Sequence, residues 1–215
     1  MTTTTTARTA ADLRPGPAHR GLLLDHDGTL VDSQAANYRA LRDALAGTGI
    51  ALDQDWYDAR TGISTTEMVA QLGALAGVEV DADAVTARRN EAYLRRVHEV
   101  RELTPVADLV RATRGTHRAA LATGGQRETV VPTLEALGLL GLLDAVVTRD
   151  DVTAGKPSPE IFLLAARRLG LDPGQCLVLE DSDEGLEAAR AAGIDAVDVR
   201  PLRDEHHRAA GVPVR

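Results

Sequence analysis

The chain has 215 residues, of which 44% are hydrophobic and 26% charged, and its net charge is −8. This length is enough to bury a core and to carry one domain with an insert. Acidic and basic residues are interleaved, and no basic patch with interspersed aromatic residues suggests nucleic acid as a partner. No apolar run approaches the ~18 residues of a membrane-spanning helix, so we expect no membrane partner. The single cysteine, Cys176, excludes an intramolecular disulfide and favours a reduced, cytoplasmic protein.

The first residues have the composition of a tail. Five threonines follow Met1, and Ala, Arg, Asp and Pro dominate as far as Pro17. This stretch lacks the apolar segment of a secretory signal. The composition predicts a flexible N-terminal tail over residues 1–17.

The most informative segment, residues 21–33, reads GLLLDHDGTLVDS. Its three leucines predict a strand buried on both faces, and Gly28 predicts a tight turn directly after it. Asp25 and Asp27 would then lie at the carboxyl edge of the sheet, where open α/β folds bind ligands. Two carboxylates so close together favour a hard divalent cation such as Mg²⁺ between them, although a surface turn is an alternative.

Residues 33–103 form a helical block, because no strand pattern occurs from Ser33 to Leu103. Apolar residues at helical spacing predict helices over Gln34–Ala46, Gln54–Arg60, Ser64–Leu75 and Asp81–Arg101. Ser64, with Glu67 three residues later, is typical of a capping box, and Asp81 is a candidate N-cap. We interpret this block, called the cap below, as an insertion after the first strand.

From Thr104 onward, short strands alternate with helices. The pattern predicts strands over residues 117–122, 144–148, 175–179 and 195–199, with helices over 105–113, 127–137, 158–169 and 183–192. Such alternation indicates an α/β protein with a parallel sheet covered by helices on both faces. Residues 18–32 and 104–215 therefore form the predicted core, a doubly wound parallel sheet that includes the first strand.

Three further segments at predicted strand or helix ends carry groups suited to phosphate chemistry. Thr123 and Gly124 offer a hydroxyl and open N–H groups, although an ordinary turn is an equal alternative. Lys156, the only lysine in the chain, lies in a proline-stiffened loop and could bind a phosphoryl oxygen if it is buried. Glu180 and Asp181 add two carboxylates, and capping of the next helix is compatible with metal binding. Together these groups are the inventory that phosphoryl transfer requires.

In this order, the four segments resemble the signature motifs of the haloacid dehalogenase superfamily, in the branch with a helical cap after the first strand. The resemblance covers residues from about 20 to 202 and carries with it a Rossmann-like core. Within the branch the chain is similar to β-phosphoglucomutases, phosphoglycolate phosphatases and, above all, sugar phosphatases acting on fructose 1-phosphate and similar substrates. The stretch Gly185–Leu202 carries the similarity to that last group.

The resemblance implies a role for each motif residue. Asp25 would be the nucleophile that forms an aspartyl-phosphate, and Asp27 the general acid and base. Magnesium would be bound by Asp25, the backbone carbonyl of Asp27 and Asp181, with Glu180 in support. The phosphoryl oxygens would be bound by Thr123, Lys156 and N–H groups near Gly28 and Gly124. The implied partner is a small phosphorylated metabolite, with a sugar phosphate preferred, and we expect a monomer.

Departures from the branch pattern favour hydrolysis over a phosphomutase reaction. Thr65 stands where the mutase has an arginine, Asn37 stands where it has a histidine, and a lysine after Thr123 is missing, although Arg127 is nearby. A dehalogenase would lack Asp27, and a catalytically idle binding module would show a broken motif, so both alternatives are disfavoured.

Substrate contacts are expected mainly from the loop 60–65, in which Gly62 would let the backbone approach the site. Arg60, Ser64 and Thr65 are the candidates in that loop, together with Asn37 in the first cap helix. His26, between the two aspartates, is unusual, and it either packs under the cap or contacts the substrate and tunes the pH response.

Overall fold

The computed structural model describes residues 2–60 and 63–209. Six strands of this part form one parallel sheet in the order β1-β8-β7-β2-β5-β6, and β3 pairs with β4 in an antiparallel ribbon. The strands are β1 (Thr4–Thr6), β2 (Gly21–Leu24), β3 (Val31–Asp32), β4 (Arg101–Glu102), β5 (Arg118–Ala122), β6 (Ala145–Val147), β7 (Cys176–Glu180) and β8 (Asp195–Asp198).

Helices cover both faces of this sheet. In chain order they are α1 (Gln34–Ala44), α2 (Gln54–Asp58), α3 (Thr65–Ala76), α4 (Ala82–Leu94), α5 (Thr104–Thr113), α6 (Arg127–Ala136), α7 (Glu160–Leu169), α8 (Asp183–Ala191) and α9 (Arg200–Ala209). Apolar residues of α5 and α6 belong to the cluster on one face, and those of α7 and α8 to the cluster on the other. The predicted α/β class and doubly wound sheet are confirmed.

The central strand shows why this sequence forms a two-sided sheet. In β2, Leu22 and Leu24 face one apolar cluster and Leu23 faces the other, and all three side chains are fully buried. Successive strand residues point to opposite faces, so a strand covered on both sides needs an uninterrupted apolar run. The strand ends where the run ends, at Asp25.

In chain order, the cap helices α1 to α4 come between the two short strands of the ribbon, β3 and β4. The chain leaves the sheet through β3 and returns through β4, with Val31 opposite Glu102 and Asp32 opposite Arg101. Helices α1 to α4 enclose an apolar cluster that includes Leu41, Val69 and Val85. The predicted helix over Asp81–Arg101 ends instead at Leu94, because the residues that follow form a 3₁₀ turn and then extend to pair with β3.

The flexible tail predicted over residues 1–17 is wrong for most of its length. Thr4–Thr6 pair in parallel with β8 along the edge of the sheet, and Ala10–Leu13 form a 3₁₀ helix. Ala7 and Leu13 are fully buried. Threonine is β-branched and suits a strand, so the composition that indicated a tail is also compatible with an edge strand.

After the last sheet strand the chain forms the helix α9, which the sequence pattern did not predict. Among the described residues, no helix is long and apolar enough to cross a membrane.

The buried N-terminal segment generates a stability prediction. Leu13→Ala should lower the free energy of unfolding by about 2–5 kcal/mol, the usual range for removing a buried leucine side chain. Leu75→Ala is the matched control, since 71% of Leu75 is exposed, and it should change stability by less than about 0.5 kcal/mol. Urea unfolding measures both variants. A Leu13→Ala protein as stable as the parent would restore the tail interpretation.

Candidate active site

The site lies at the carboxyl edge of three neighbouring strands. Asp25 follows β2, Thr123 follows β5, and Asp181 follows β7, and these strands are adjacent in the sheet with β2 in the middle. Together with residues of the cap they line a cleft of about 990 Å³. The motif residues are therefore brought together as the sequence predicts.

Lys156 lies between two buried carboxylates. Its Nζ is 2.6 Å from Asp25 Oδ1 and 2.6 Å from Glu180 Oε2. Burial alone would lower the pKa of the ammonium, but the charges of Asp25 and Glu180 outweigh burial and raise the pKa above its usual range. Lys156 is thus a permanent cation whose charge is directed at the proposed nucleophile.

The loop before Lys156 is fixed from two sides. Arg149 donates to two carbonyl oxygens of the loop 152–155, at 2.7 and 3.2 Å. Glu160, in the first turn of α7, accepts from two N–H groups of the same loop, at 3.0 and 2.9 Å. The loop belongs to no strand or helix, so these side chains provide the hydrogen-bond partners that its carbonyl and N–H groups need. Lys156 is therefore carried by a loop with a defined path.

Three carboxylates converge where a metal is expected. One ligand oxygen from each of Asp25, Glu180 and Asp181 lies within 4.8 Å of the others. Burial and the charge of Glu180 raise the pKa of Asp25 well above its usual range, against the opposing charge of Lys156. Burial and Glu180 likewise raise the pKa of Asp181 to about 7. A cluster of oxygen donors that is strained by its own negative charge fits a hard divalent cation such as Mg²⁺.

Two glycines allow these carboxylates to pack so closely. A Cβ at Gly28, where φ is +81°, would lie 2.1 Å from Asp181 Oδ2, and a Cβ at Gly185 would lie 2.0 Å from the carboxyl carbon of Glu180. The first position also needs glycine because its φ is unfavourable for other residues. Close approach of backbone and carboxylate is therefore part of the site's construction.

Glu180 is bound mainly by neighbouring groups of the protein. Besides Lys156, it accepts hydrogen bonds from the N–H groups of Asp181 (3.2 Å) and Ser182 (3.1 Å) and from the Ser182 hydroxyl (2.7 Å). It is 1% exposed. With these partners its oxygens are largely occupied, which fits the supporting role implied by the resemblance.

Asp27 is surrounded by a different set of partners. Its Oδ1 accepts from Ser33 and, at 3.2 Å, from Asn37, and Asn37 in turn accepts from Arg89 of the cap helix α4. Burial would raise the pKa of Asp27, but the charge of a protonated His26 beside it and the hydrogen bond from Ser33 outweigh burial and lower the pKa below its usual range. The structure therefore favours the carboxylate form of Asp27.

His26 is 2% exposed and lines the same cleft. Its Nδ1 lies 3.3 Å from Asp27 Oδ2, but within the described part of the chain neither ring nitrogen meets the geometry of a hydrogen bond. When it is protonated, the ring is therefore near enough to act on Asp27 by charge. Of the two roles considered for His26, the geometry favours an effect on Asp27 over packing alone.

The phosphate-binding candidates are in place on the core side. Thr123 is buried, and its hydroxyl accepts from the N–H of Gly125 at 3.0 Å. Gly124 has open space where a side chain would be. Both residues line the cleft beside Asp25, so an anion could reach the exposed backbone at the start of the following helix.

The cap candidates divide into two groups. Ser64 and Thr65 line the cleft, and Ser64 also caps α3 by accepting from the N–H of Glu67 at 3.2 Å, as predicted. Arg60 is not among the described residues that line the cleft, so its proposed contact with substrate is not supported. Its guanidinium stacks 4.2 Å from the centre of the Trp56 ring and donates to the Trp56 carbonyl.

Another arginine named from the sequence lies outside the described lining of the cleft. Arg127 pairs with Asp151 at 2.6 Å and is also absent from the described lining of the cleft. Gly62 lies outside the described residues.

Sequence reasoning missed Arg89, Tyr57 and Tyr93, which line the cleft from the cap. The Arg89 guanidinium lies 5.1 Å from the centre of the Tyr93 ring and donates to Asn37 and Asn90. Arginine is frequent in this chain, and the helical pattern alone does not tell which arginine faces the core.

Comparison with known proteins places this geometry in a family. Residues 19–193 match the haloacid dehalogenase-like hydrolases. The chain belongs to that family. It is 37% identical to the fructose-1-phosphate phosphatase YqaB of Escherichia coli (strain K12) over 86% of the chain and 98% of that protein. It is 32% identical to the validoxylamine A 7′-phosphate phosphatase of Streptomyces hygroscopicus subsp. limoneus, over 85% of the chain and 86% of that protein.

A solved structure shows a similar fold. The crystal structure of CbbY from Rhodobacter sphaeroides in complex with phosphate superposes with a TM-score of 0.76 and 27% identity, over 84% of this chain and 86% of that one. The chain is thus a haloacid dehalogenase-like hydrolase in sequence and in fold.

The raised pKa of Asp181 gives a pH prediction for the metal-free protein. Its folded pKa of about 7 exceeds the ordinary value of 3.8, so the stabilising contribution of this proton is complete below pH 3.8 and is lost as pH rises through 7. Asp181→Asn removes that dependence. In EDTA, the change in the free energy of unfolding that Asp181→Asn causes should favour the folded state more at pH 8 than at pH 5, by roughly 2 kcal/mol. Urea unfolding at both pH values measures the difference, and equal effects at both would contradict the assignment.

Proposed function

We propose that this hydrolase is a Mg²⁺-dependent phosphatase that hydrolyses small phosphorylated metabolites, with sugar phosphates as the preferred class, through an aspartyl-phosphate on Asp25. The observation that carries the proposal is the placement of Lys156 against Asp25, with Asp27 lining the same cleft. YqaB is a fructose-1-phosphate phosphatase by name, and the CbbY structure contains phosphate, which supports phosphate esters as the substrates.

The first step transfers the phosphoryl group to the enzyme. An oxygen of Asp25 forms a bond to phosphorus while the bond from phosphorus to the alcohol oxygen breaks. Oδ1 of Asp25 accepts from Lys156, and Oδ2 has no partner among the described residues, so one oxygen stays available for attack. Asp27 gives its proton to the departing alcohol, and the charge of Lys156 stabilises the phosphoryl oxygens.

The second step returns the enzyme to its first state. Asp27, now a carboxylate, takes a proton from a water molecule as that water attacks phosphorus, and the bond to Asp25 breaks to release inorganic phosphate. The hydrogen bonds from Ser33 and Asn37 favour the carboxylate form that this step requires. In the first step, the nearby phosphate dianion would raise the pKa of Asp27 toward the acid form.

Magnesium, when bound by Asp25, the Asp27 carbonyl and Asp181 with Glu180 in support, supplies the positive charge that lets a phosphate dianion approach these carboxylates. The cleft then leaves room for the alcohol part of the substrate beneath the cap. Hydroxyl groups of Ser64, Thr65 and Thr66 and the Arg89 guanidinium line that part of the cleft, a surface suited to the hydroxyl groups of a sugar.

The test is phosphate release from a panel of sugar phosphates, phosphoglycolate and nucleotides, with Mg²⁺ or with EDTA. We expect activity only with Mg²⁺, the highest kcat/KM on a sugar phosphate, and no need for a hexose bisphosphate. A bisphosphate requirement would indicate the phosphomutase alternative, and full activity in metal-free buffer would remove the metal from the mechanism.

Asp25→Asn provides the matching control, because an amide cannot attack phosphorus. This variant should fold normally and lose turnover on every substrate of the panel. Near-parental activity, after deamidation has been excluded by mass spectrometry, would contradict the nucleophile assignment.

The acid role of Asp27 predicts a dependence on the leaving group. Asp27→Asn should slow turnover of an alkyl phosphate by roughly 10²–10⁴-fold, the usual contribution of a general acid or base. The first step with p-nitrophenyl phosphate should slow less, because p-nitrophenolate leaves without much protonation. Single-turnover kinetics on both substrates separates this step from the hydrolysis of the intermediate. Equal losses in that step would argue against proton donation by Asp27.

A further inference from the structure

The C-terminal helix α9 brings an arginine to the metal-binding cluster. Arg203 Nη1 donates to Asp181 Oδ2 at 2.7 Å, and Arg203 lines the active-site cleft. The side chains of Arg203 and Asp181 are 24% and 12% exposed, so the pair is largely sheltered from water. Arg203 lies just beyond the stretch that resembles the sugar phosphatases, and none of the four motifs includes it.

This contact fixes the orientation of the Asp181 carboxylate. Oδ1 of Asp181 accepts a longer hydrogen bond from the Thr29 hydroxyl, at 3.3 Å. The absence of a side chain at Gly28 leaves room for Oδ2. Arg203 therefore provides the shorter of the two hydrogen bonds to a carboxylate that would otherwise turn about its own side-chain bonds.

The same guanidinium carries a positive charge, which by itself opposes binding of a cation. Two features weaken that opposition. Arg203 also lies 3.2 Å from Asp204 Oδ1, so its charge is shared with a second carboxylate, and about a quarter of the side chain is exposed to solvent. Orientation of a ligand by an outer hydrogen bond is worth about 10–100-fold in metal affinity. For metal affinity, the orienting effect of Arg203 therefore outweighs the repulsion between its charge and the cation.

We propose that Arg203 is a positioning residue that holds the Asp181 carboxylate in the orientation that binds Mg²⁺, and that it thereby increases the affinity of the site for the metal. The inference rests on the proposed function, in which Asp181 is a metal ligand. It links metal affinity to the docking of α9, a helix outside the four motifs.

Isothermal titration of Mg²⁺ into the metal-free protein tests this without any substrate. Arg203→Ala should raise the dissociation constant about 10–100-fold, and Arg203→Lys should recover part of the affinity because it keeps a charged donor. Arg200→Ala is the matched control on the same helix, since Arg200 pairs with Asp198 and Asp183 and not with Asp181. Its dissociation constant should stay within about threefold of the parent's.

The outcomes are distinct. Unchanged or tighter Mg²⁺ binding by Arg203→Ala overturns the inference and leaves the proposed function intact. Equal weakening in the Arg200 and Arg203 variants also overturns it, because the effect would then come from helix docking. A parent protein that binds no Mg²⁺ would overturn the proposed metal dependence as well. Arg203→Gln, which keeps a long polar side chain, replaces Arg203→Ala in this comparison if the alanine variant fails to fold.

Discussion

The ion pairs of Lys156 with Asp25 and Glu180 are the interaction on which the rest of the site depends. Three carboxylates within a few ångströms of one another repel strongly when they are buried, and the raised pKa of Asp25 expresses that repulsion. One ammonium group, 2.6 Å from two of them, offsets part of it and leaves the cluster short of positive charge. A divalent cation would make up that deficit and lower the repulsion between the cluster and a phosphate dianion, which is the physical basis of the proposed metal dependence.

The parallel sheet makes this concentration of charge possible. Neighbouring parallel strands end at the same edge, so β2 and β7 deliver Asp25 and Asp181 to one place without any long connection between them. Packing of the sheet, whose central strand is fully buried, offsets the unfavourable free energy of holding like charges close together. The loop that carries Lys156 is fixed by Arg149 and Glu160 for the same reason, since a mobile lysine could not balance a fixed pair of carboxylates.

Much of the fold and the core of the site could be predicted from the sequence, because both depend on local patterns. The run of leucines before Asp25 predicted a strand and the point where it ends, and Gly28 predicted the turn that follows. The remainder depends on contacts between distant segments. The edge strand Thr4–Thr6 forms by pairing with β8, which is about 190 residues away in the sequence. Arg60 stacks on the Trp56 ring, a contact that the loop pattern does not indicate. Arg89 and Arg203 face the cleft through the rotation of their helices, which a single sequence does not reveal.

The two aspartates of the first motif differ in what surrounds them, and that difference suits their proposed roles. Asp25 contacts the ammonium of a core loop, so its environment does not depend on the cap. Asp27 accepts from Ser33 and Asn37, and Asn37 is itself bound by Arg89 of α4, so the cap contributes to the environment of this one catalytic group. A substrate that engages Arg89 would alter that set of hydrogen bonds. Proton transfer by Asp27 would then respond to the presence of a substrate, while the surroundings of Asp25, the proposed nucleophile, would stay the same.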